Sequence, residues 1–448
     1  MLKAFANCFK IPDLKKKILF TLGLLSIYRI GCYLPTPGID SNALAQFFAR
    51  LNRTQGGALF GIMNMFSGGA MERLTIFALG IMPYISSSII MQLLTAVIPA
   101  LEKLAKEGKA GYHKINQYTR YGTVVLSLIQ SFFIALWLEN PARFEGFSIV
   151  SFPGWGFRIL TVVTLTAGSV FLMWLGEQIQ ERGIGNGISL VITAGIISRI
   201  PSAIYELIMQ LSPKSASLRQ IQPITLVIMV FFLFGVIFAV TMITQGQRKI
   251  PVQYARRIVG RKVYGGQSTY IPLRVDTSGV IAIIFAQSII LFPATIASFI
   301  PNPTFQHFAT ALVRGHLLYT VVYALLIIFF CYFYTAIVFN PLDVSENMKK
   351  YGGFVPGIRP GSPTAEFLDF VMTRITLAGA LFVTVIAILP DFIMASMKVP
   401  YLVASFFGGT GILIIVGVML DTMKQIESHL LMRHYEGFMK SGRLKARR

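Results

Sequence analysis

Ten stretches of roughly twenty mostly apolar residues constrain this chain more than any other feature. They lie at about 18–35, 75–98, 121–138, 157–176, 186–208, 223–244, 277–299, 317–339, 370–390 and 401–421. A helix needs about 20 such residues to cross a bilayer core, so each stretch predicts a transmembrane helix. Composition agrees. Of 448 residues, 54% are hydrophobic and only 13% are charged, which leaves too little polar material to cover a soluble surface. A secreted disulfide scaffold, a disordered chain and a soluble nucleic-acid binder are excluded. The least regular stretches are the first, which carries Arg29, and the fifth, which opens on Gly183-Ile184-Gly185-Asn186-Gly187.

The net charge of +21 becomes informative once it is mapped onto these spans. Ten crossings put both termini on one side. With the termini cytoplasmic, 29 of the 40 basic residues fall on the cytoplasmic face and 10 on the other, with Arg29 inside a span. Cytoplasmic loops carry the excess of Lys and Arg, so the expected orientation is N-in and C-in. The irregular stretch 209–222 divides the spans five and five, giving halves 1–210 and 211–448. An odd number of spans per half makes the second half inverted if the two share a fold. Inverted repeats place a path or site at the bilayer midplane.

Residues 56–69, between spans one and two, break the pattern. Their apolar core, Ala58 to Phe66, is too short to cross, and glycine pairs flank it at Gly56-Gly57 and Gly68-Gly69. It is either an interfacial turn of helix or a short re-entrant helix. The second implies a cavity, because irregular backbone at membrane depth must be surrounded by protein or water.

Coupled transporters carry ionisable residues inside their spans. Here Arg29 is in span one, Asp391 and Asp421 sit at span ends, and His113, His307, His316, His429 and His434 fall in loops or near ends. Cys8, Cys32 and Cys331 form no CxxC pair, so neither a zinc site nor a redox pair is indicated. No nucleotide loop, HExxH site or nucleophile elbow occurs. The expectation is a chain with no cofactor, no metal and no enzymatic activity. An ion-coupled secondary transporter of inverted-repeat type and a lipid-acting enzyme are the competing classes, and both lack their usual residues.

The spans do hold uncharged polar residues: Ser86, Ser87, Ser88, Gln92 and Thr95 in span two, Ser127, Gln130 and Ser131 in span three, Gln287 and Ser288 in span seven. Such residues either bond helix to helix or line a seam that opens. Two loops on the basic face, 245–276 and 340–369, are too long for simple connections. Basic segments can hold anionic lipid, as the Lys-rich N-terminal tail would. Aromatic residues interleaved with the charge (Tyr254, Tyr264, Tyr270) point instead to docking of a large anionic partner such as RNA.

Long runs of this sequence resemble the SecY family, the channel subunits of the bacterial protein-conducting translocon. They include IFALGIMPYISSSIIMQLL at 76–94, FLMWLGEQIQERGIGNGIS at 171–189, YARRIVGRKVYGGQSTYIPL at 254–273 and KKYGGFVPGIRPGSPTAEFL at 349–368. INQYTRYGT at 115–123, ILFPATIASF at 290–299 and FGGTGILIIVGVMLD at 407–421 follow the same pattern. The resemblance covers almost the whole chain.

It implies an all-α polytopic fold of ten transmembrane helices in two inverted five-helix halves, with a short re-entrant plug helix. By motif, the constriction would be a pore ring of Ile81, Ile85, Ile188, Ile192, Ile284 and Ile414. The plug would include Leu59, Phe60, Ile62, Met63, Asn64, Met65 and Phe66. A lateral gate between spans two and three and spans seven and eight would use Ser87, Gln92, Gln130, Ser288 and Phe292. Arg256, Arg257 and Arg359 would dock the SecA motor ATPase or the ribosome, Arg359 alternatively pairing with Glu366. Implied partners are SecE-like and SecG-like small membrane subunits, signal peptides and unfolded secretory proteins, with anionic lipids around them. The implied location is the bacterial inner (plasma) membrane. Ala282 stands where the family usually has proline, which bears on how span seven aims Ile284.

The ring makes physical sense. Ile81/Ile85 and Ile188/Ile192 are i,i+4 pairs, so each pair shares a helix face. A narrow ring of β-branched side chains excludes ions by dewetting, yet it offers an extended polypeptide no fixed polar partner.

Overall fold

The structure, a computed structural model, describes residues 11–51, 64–140, 144, 149–211, 223–254, 257–259, 262–264, 268–299, 317–397 and 410–441. It is mainly helical. In chain order the first half contains α1 (Pro12–Gly31), α2 (Ser41–Leu51), α3 (Met82–Val97), α4 (Pro99–Lys106), α5 (Lys109–Leu138), α6 (Trp155–Arg182), α7 (Gly187–Ile197) and α8 (Ile200–Leu211). Then come α9 (Pro223–Gln245), β1 (Gln247–Tyr254), β2 (Arg257–Val259), β3 (Lys262–Tyr264), β4 (Ser268–Arg274) and α10 (Val280–Phe299). The remainder is α11 (Leu317–Val338), α12 (Pro341–Lys350), β5 (Gly353–Phe354), α13 (Ser362–Met397) and α14 (Thr410–Ser441).

A helix stands at each of the ten expected spans. Six described helical segments are by themselves long and apolar enough to cross a membrane, and a seventh qualifies if the bent pair α3–α4 is taken as one span. This is a multi-pass membrane protein. Charge keeps the first helix out of that set, and the apolar stretch described in α10, Val280–Leu291, is shorter than a span. The first helix carries Lys15, Lys16, Lys17 and Arg29 within its bounds. The fifth, Gly187–Tyr205, is one of the six, although α7 ends at Ile197 and α8 begins at Ile200 within it.

Span two differs from the expectation. Its helix starts at Met82, not near 75, because 67–81 is a run of turns. Leu74 takes φ +41 and Gly80 φ +59, conformations that stop a right-handed helix. Pro83 then opens α3 where its missing N–H is harmless. Thr75 pairs instead with Pro35 in an isolated antiparallel bridge. At the other end, Pro99 cannot donate to the α3 ladder, and α4 leaves at 99°.

The 245–276 loop holds β-strands. β1 runs antiparallel to β4 from Gln247↔Arg274 to Gln253↔Ser268, β2 pairs with β3, and β5 joins β1 at Gln253 and Tyr254. Ile250, Val252 and Leu273 turn inward against Met348, Val355, Leu368 and Met372. This satellite core therefore fastens both long loops to α13.

Within the first half, α5 packs on α3 and α6, and α6 packs on α7. Within the second, α11 packs on α10 and α13. The two sets meet along two lines. On one, α10 lies against both α3 and α5; on the other, α7 lies against α14.

Candidate functional site

Five of the six isoleucines expected at the constriction converge. Ile81, Ile85, Ile192, Ile284 and Ile414 are at most 5% exposed and belong to one continuous apolar cluster. They come from four chain positions: the entry and first turn of α3, the middle of α7, the start of α10 and the start of α14. The Ile85 N–H bonds to the Ile81 carbonyl (3.1 Å), so the pair keeps one helix face although Ile81 only caps the helix. Ile188 is partly buried against the same cluster. A Cβ on Gly176 of α6 would lie 3.1 Å from its Cγ1, so Ile188 also packs sideways on α6. Ala282 is fully buried inside α10 and the helix passes straight through it; the proline within this helix is Pro293.

Met65 and Phe66 join the same cluster. They lead a tight turn, 64–72, that is bonded on several sides. The Asn64 amide donates to Glu72 Oε2 (2.9 Å) and its oxygen accepts from the Glu72 N–H (3.1 Å). Ser67 Oγ accepts from the Met71 N–H (3.2 Å). From α1, Tyr28 donates to the Ser67 carbonyl (3.3 Å) and Arg29 to the Gly68 carbonyl (3.0 Å). Gly68 takes φ +65, and a Cβ there would lie 2.7 Å from the Tyr28 hydroxyl and 2.9 Å from Gly195 Cα. Only glycine supplies both that backbone and that clearance. Leu59, Phe60, Ile62 and Met63 lie outside the described residues.

The expected seam also has a physical counterpart, since α10 bridges α3 and α5. Among the described residues, the hydrogen bonds of its named polar side chains stay within one helix or one half. Ser87 donates to the Thr119 carbonyl (2.7 Å), joining α3 to α5 within the first half. Gln92 donates to Ser88 on its own helix, and Ser288 to the Ile284 carbonyl on its own helix. Gln130 is buried on α5. Phe292 lies in α10, and its side chain is outside what the structure describes. Gln287 is one of several uncharged polar residues in the spans, and nothing local in the sequence sets it apart. It is buried to 1% exposure, and neither atom of its amide finds a partner among the described residues. Orphaned buried amides cost free energy and are found at sites that move or bind.

On the basic loops, Arg359 is exposed between Gly357 (φ +85) and Gly361 (φ +108). Its carbonyl accepts from Thr364 Oγ1 (2.8 Å), which fixes the backbone. Among the described residues no ion pair between Arg359 and Glu366 forms. Arg257 opens β2, with its side chain outside the description, and Arg256 lies outside the described residues.

A cavity of about 430 Å³ adjoins the cluster, lined among others by Asn186, Asp276, Tyr334, Leu413, Asp421 and Thr422. Asp276 precedes α10 and accepts from the Ser278 hydroxyl (3.1 Å) and the Gly279 N–H (2.7 Å). Burial raises its carboxyl above the usual range, the two bonds oppose that, and Asp421 adds to it. Among the described residues, no group of three or more His, Cys, Asp or Glu could hold a metal.

Geometry of this kind has relatives. The family model described as SecY matches residues 75–423. The chain belongs to the SecY family. The protein translocase subunit SecY of Escherichia coli is 49% identical over 439 residues, covering 97% of this chain and 96% of that one. The SecY subunit of Vibrio cholerae is 47% identical over 442 residues, with 97% and 96% covered. Among solved structures, one described as a protein conducting channel superposes with a TM-score of 0.64 at 16% identity, covering 92% of this chain and 91% of that one. A second, concerned with the plug domain of the SecY protein and the closed state of its channel, gives 0.60 at 17% identity over the same shares. At such identities the structures speak for the SecY fold, and the sequence relatives carry the family.

Proposed function

We propose that this chain is the central pore subunit of a protein translocase: a gated, passive channel for unfolded polypeptide that also releases apolar segments sideways into lipid. The observation that carries this reading is the single apolar cluster in which isoleucines of α3, α7, α10 and α14 meet Met65 and Phe66. A path closed only by apolar side chains blocks ions by dewetting. It parts for any extended chain, because no fixed hydrogen bond selects one sequence. In this reading the five buried isoleucines and Ile188 form the pore ring and 56–69 forms the plug. The halves 1–210 and 211–448 hinge apart, and the α10 seam with α3 and α5 is the lateral gate.

Energetics suit a poised gate. Each central Leu, Ile, Phe or Val favours lipid by roughly 0.3–0.6 kcal/mol. A signal core of about ten such residues thus supplies only a few kcal/mol, so the seam must rest near balance.

The chain has no motor in this reading and hydrolyses nothing. Drive comes from SecA or a translating ribosome docked on the basic loops, with SecE-like and SecG-like subunits bracing the bundle. The setting is the bacterial inner membrane with cytoplasmic termini, the orientation favoured by the basic residues. Arg359, rigidly presented and unpaired with Glu366, is the strongest docking candidate. Family membership disfavours the ion-coupled transporter.

The test is site-specific crosslinking of a stalled secretory chain. Probes at Ile81, Ile192, Ile284 and Ile414 should all capture one translocating chain, and capture at none of them would refute the pore. Replacement of Arg359 by Glu should slow motor-driven translocation about thirtyfold, the scale of an interface hot spot. An unchanged rate removes Arg359 from the docking surface.

A further inference from the structure

We infer that Glu72 and Arg199 are positioning residues that latch the 64–72 turn in the closed channel, so that the plug is released in a step separable from parting of the seam. The inference rests on the plug reading above. Glu72 closes the turn on itself, because its carboxylate and its backbone N–H grip both ends of the Asn64 amide (2.9 and 3.1 Å). The same Oε2 accepts from Arg199 Nη2 at 3.3 Å. Arg199 follows α7, the helix that carries Ile188 and Ile192, so one carboxylate ties the turn to a pore helix 127 residues away.

Arg29 forms the second clasp. It lies within α1 and donates to the Gly68 carbonyl, while Tyr28 holds the preceding carbonyl. Gly195 lets α7 approach the turn backbone, since a Cβ there would sit 2.9 Å from the Tyr28 hydroxyl and 3.3 Å from Gly68 Cα.

Every one of these bonds ends on residues before 211. Drawing α10 away from α3 and α5 therefore breaks none of them. The turn leaves the apolar cluster only when Glu72 parts from Arg199 and the Gly68 carbonyl from Arg29, charge-assisted bonds stronger than neutral ones. The Glu72 side chain is 30% exposed and that of Arg199 11%, so the pair is shielded enough to hold and open enough for water to replace the bond once the turn shifts. A pair serving only to stabilise the fold would need no placement on the turn that carries Met65 and Phe66 into the apolar cluster.

The experiment measures resting ion conductance of the whole translocase complex in planar bilayers, with thermal unfolding of each variant in parallel. Glu72→Ala and Arg199→Ala should each raise conductance about tenfold, as expected for loss of a hydrogen bond to a charged group. The double swap Glu72→Arg with Arg199→Glu should bring it back toward the parent value. Met65→Gly with Phe66→Gly serves as the reference, because it removes the turn from the cluster directly. A reference that leaks beside silent single variants overturns the latch and leaves the plug reading standing. A silent reference overturns the plug reading and the latch together. A leak in the single variants that the swap does not reduce also overturns the latch, since it reports general loosening.

Discussion

The α10 seam and the 64–72 turn are both buried against the same apolar cluster, yet they are held in opposite ways. At the seam, Ser87, Gln92 and Ser288 each satisfy themselves within one helix or one half, and Gln287 is left with no partner among the described residues. At the turn, Asn64, Ser67, Gly68 and Glu72 are bonded to one another, to α1 and to Arg199. Net hydrogen bonds contribute about 0.5–1.5 kcal/mol each, so the contrast is one of kind. Apolar contact alone resists separation without direction and lets two surfaces part anywhere along their length. A bonded turn opens in one piece or stays shut. A channel that must admit any sequence, yet leak nothing at rest, is served by that combination.

The comparison breaks most readily where both regions meet. Ile81→Asn, Ile85→Asn and Ile192→Asn together place three amides in the cluster, each costing about 1–3 kcal/mol if left dry. The closed state should hydrate, and resting ion conductance should rise by two orders of magnitude or more on that scale. Conductance equal to the parent's in planar bilayers would mean that apolar contact is not the seal.

The next effect belongs to the turn. Gly68→Ala forces a side chain into φ +65 against Tyr28 and Gly195, a strain of about 1–3 kcal/mol. Leak should appear together with a lowered unfolding midpoint. Gly235→Ala, on α9 with open space at its Cβ position, should do neither. If both variants behave alike, the turn is no more tightly held than the rest of the bundle.

Much of this arrangement was legible in the sequence. Helix positions followed from apolar run length, and the isoleucines that meet in the apolar cluster were picked out through the motifs of the family resemblance. The misses have physical causes. The start of span two was placed seven residues early because 75–81 is as apolar as a helix, and only Gly80 and Pro83 hinted at a turn. The strands of 245–276 were missed although the buried Ile250 and Val252 alternate with the exposed Lys249, Pro251 and Gln253. Pro251 argued against a central strand, but it sits where β1 has β4 alone as neighbour, since β5 reaches only Gln253 and Tyr254. The Glu72–Arg199 pair joins positions too far apart in the chain for any local pattern to reveal.

At the seam the expected sign reverses. Gln287→Leu removes an unpaired buried amide and keeps similar volume, so the closed seam should gain about 1–3 kcal/mol. Export of substrates with weakly apolar signal sequences should fall while strongly apolar ones pass normally. Improved export of the weak signals would show that Gln287 already has a bond that holds the seam shut.

The smallest effect tests how α10 is anchored at its start. Asp276 is buried beside Asp421, so its carboxyl titrates above the usual range. A raised acid pKa means that the folded state disfavours the charge. The associated stability is fully present below the ordinary carboxylate pKa and is lost as pH rises through the raised value. Asp276→Asn keeps an oxygen able to accept from Ser278 and Gly279 and removes the charge. The variant should therefore unfold at a higher temperature than the parent at neutral pH, with the gap closing as pH is lowered through the raised pKa. A gap independent of pH would mean that Asp276 is anchored by its bonds alone and that its charge takes no part in holding α10.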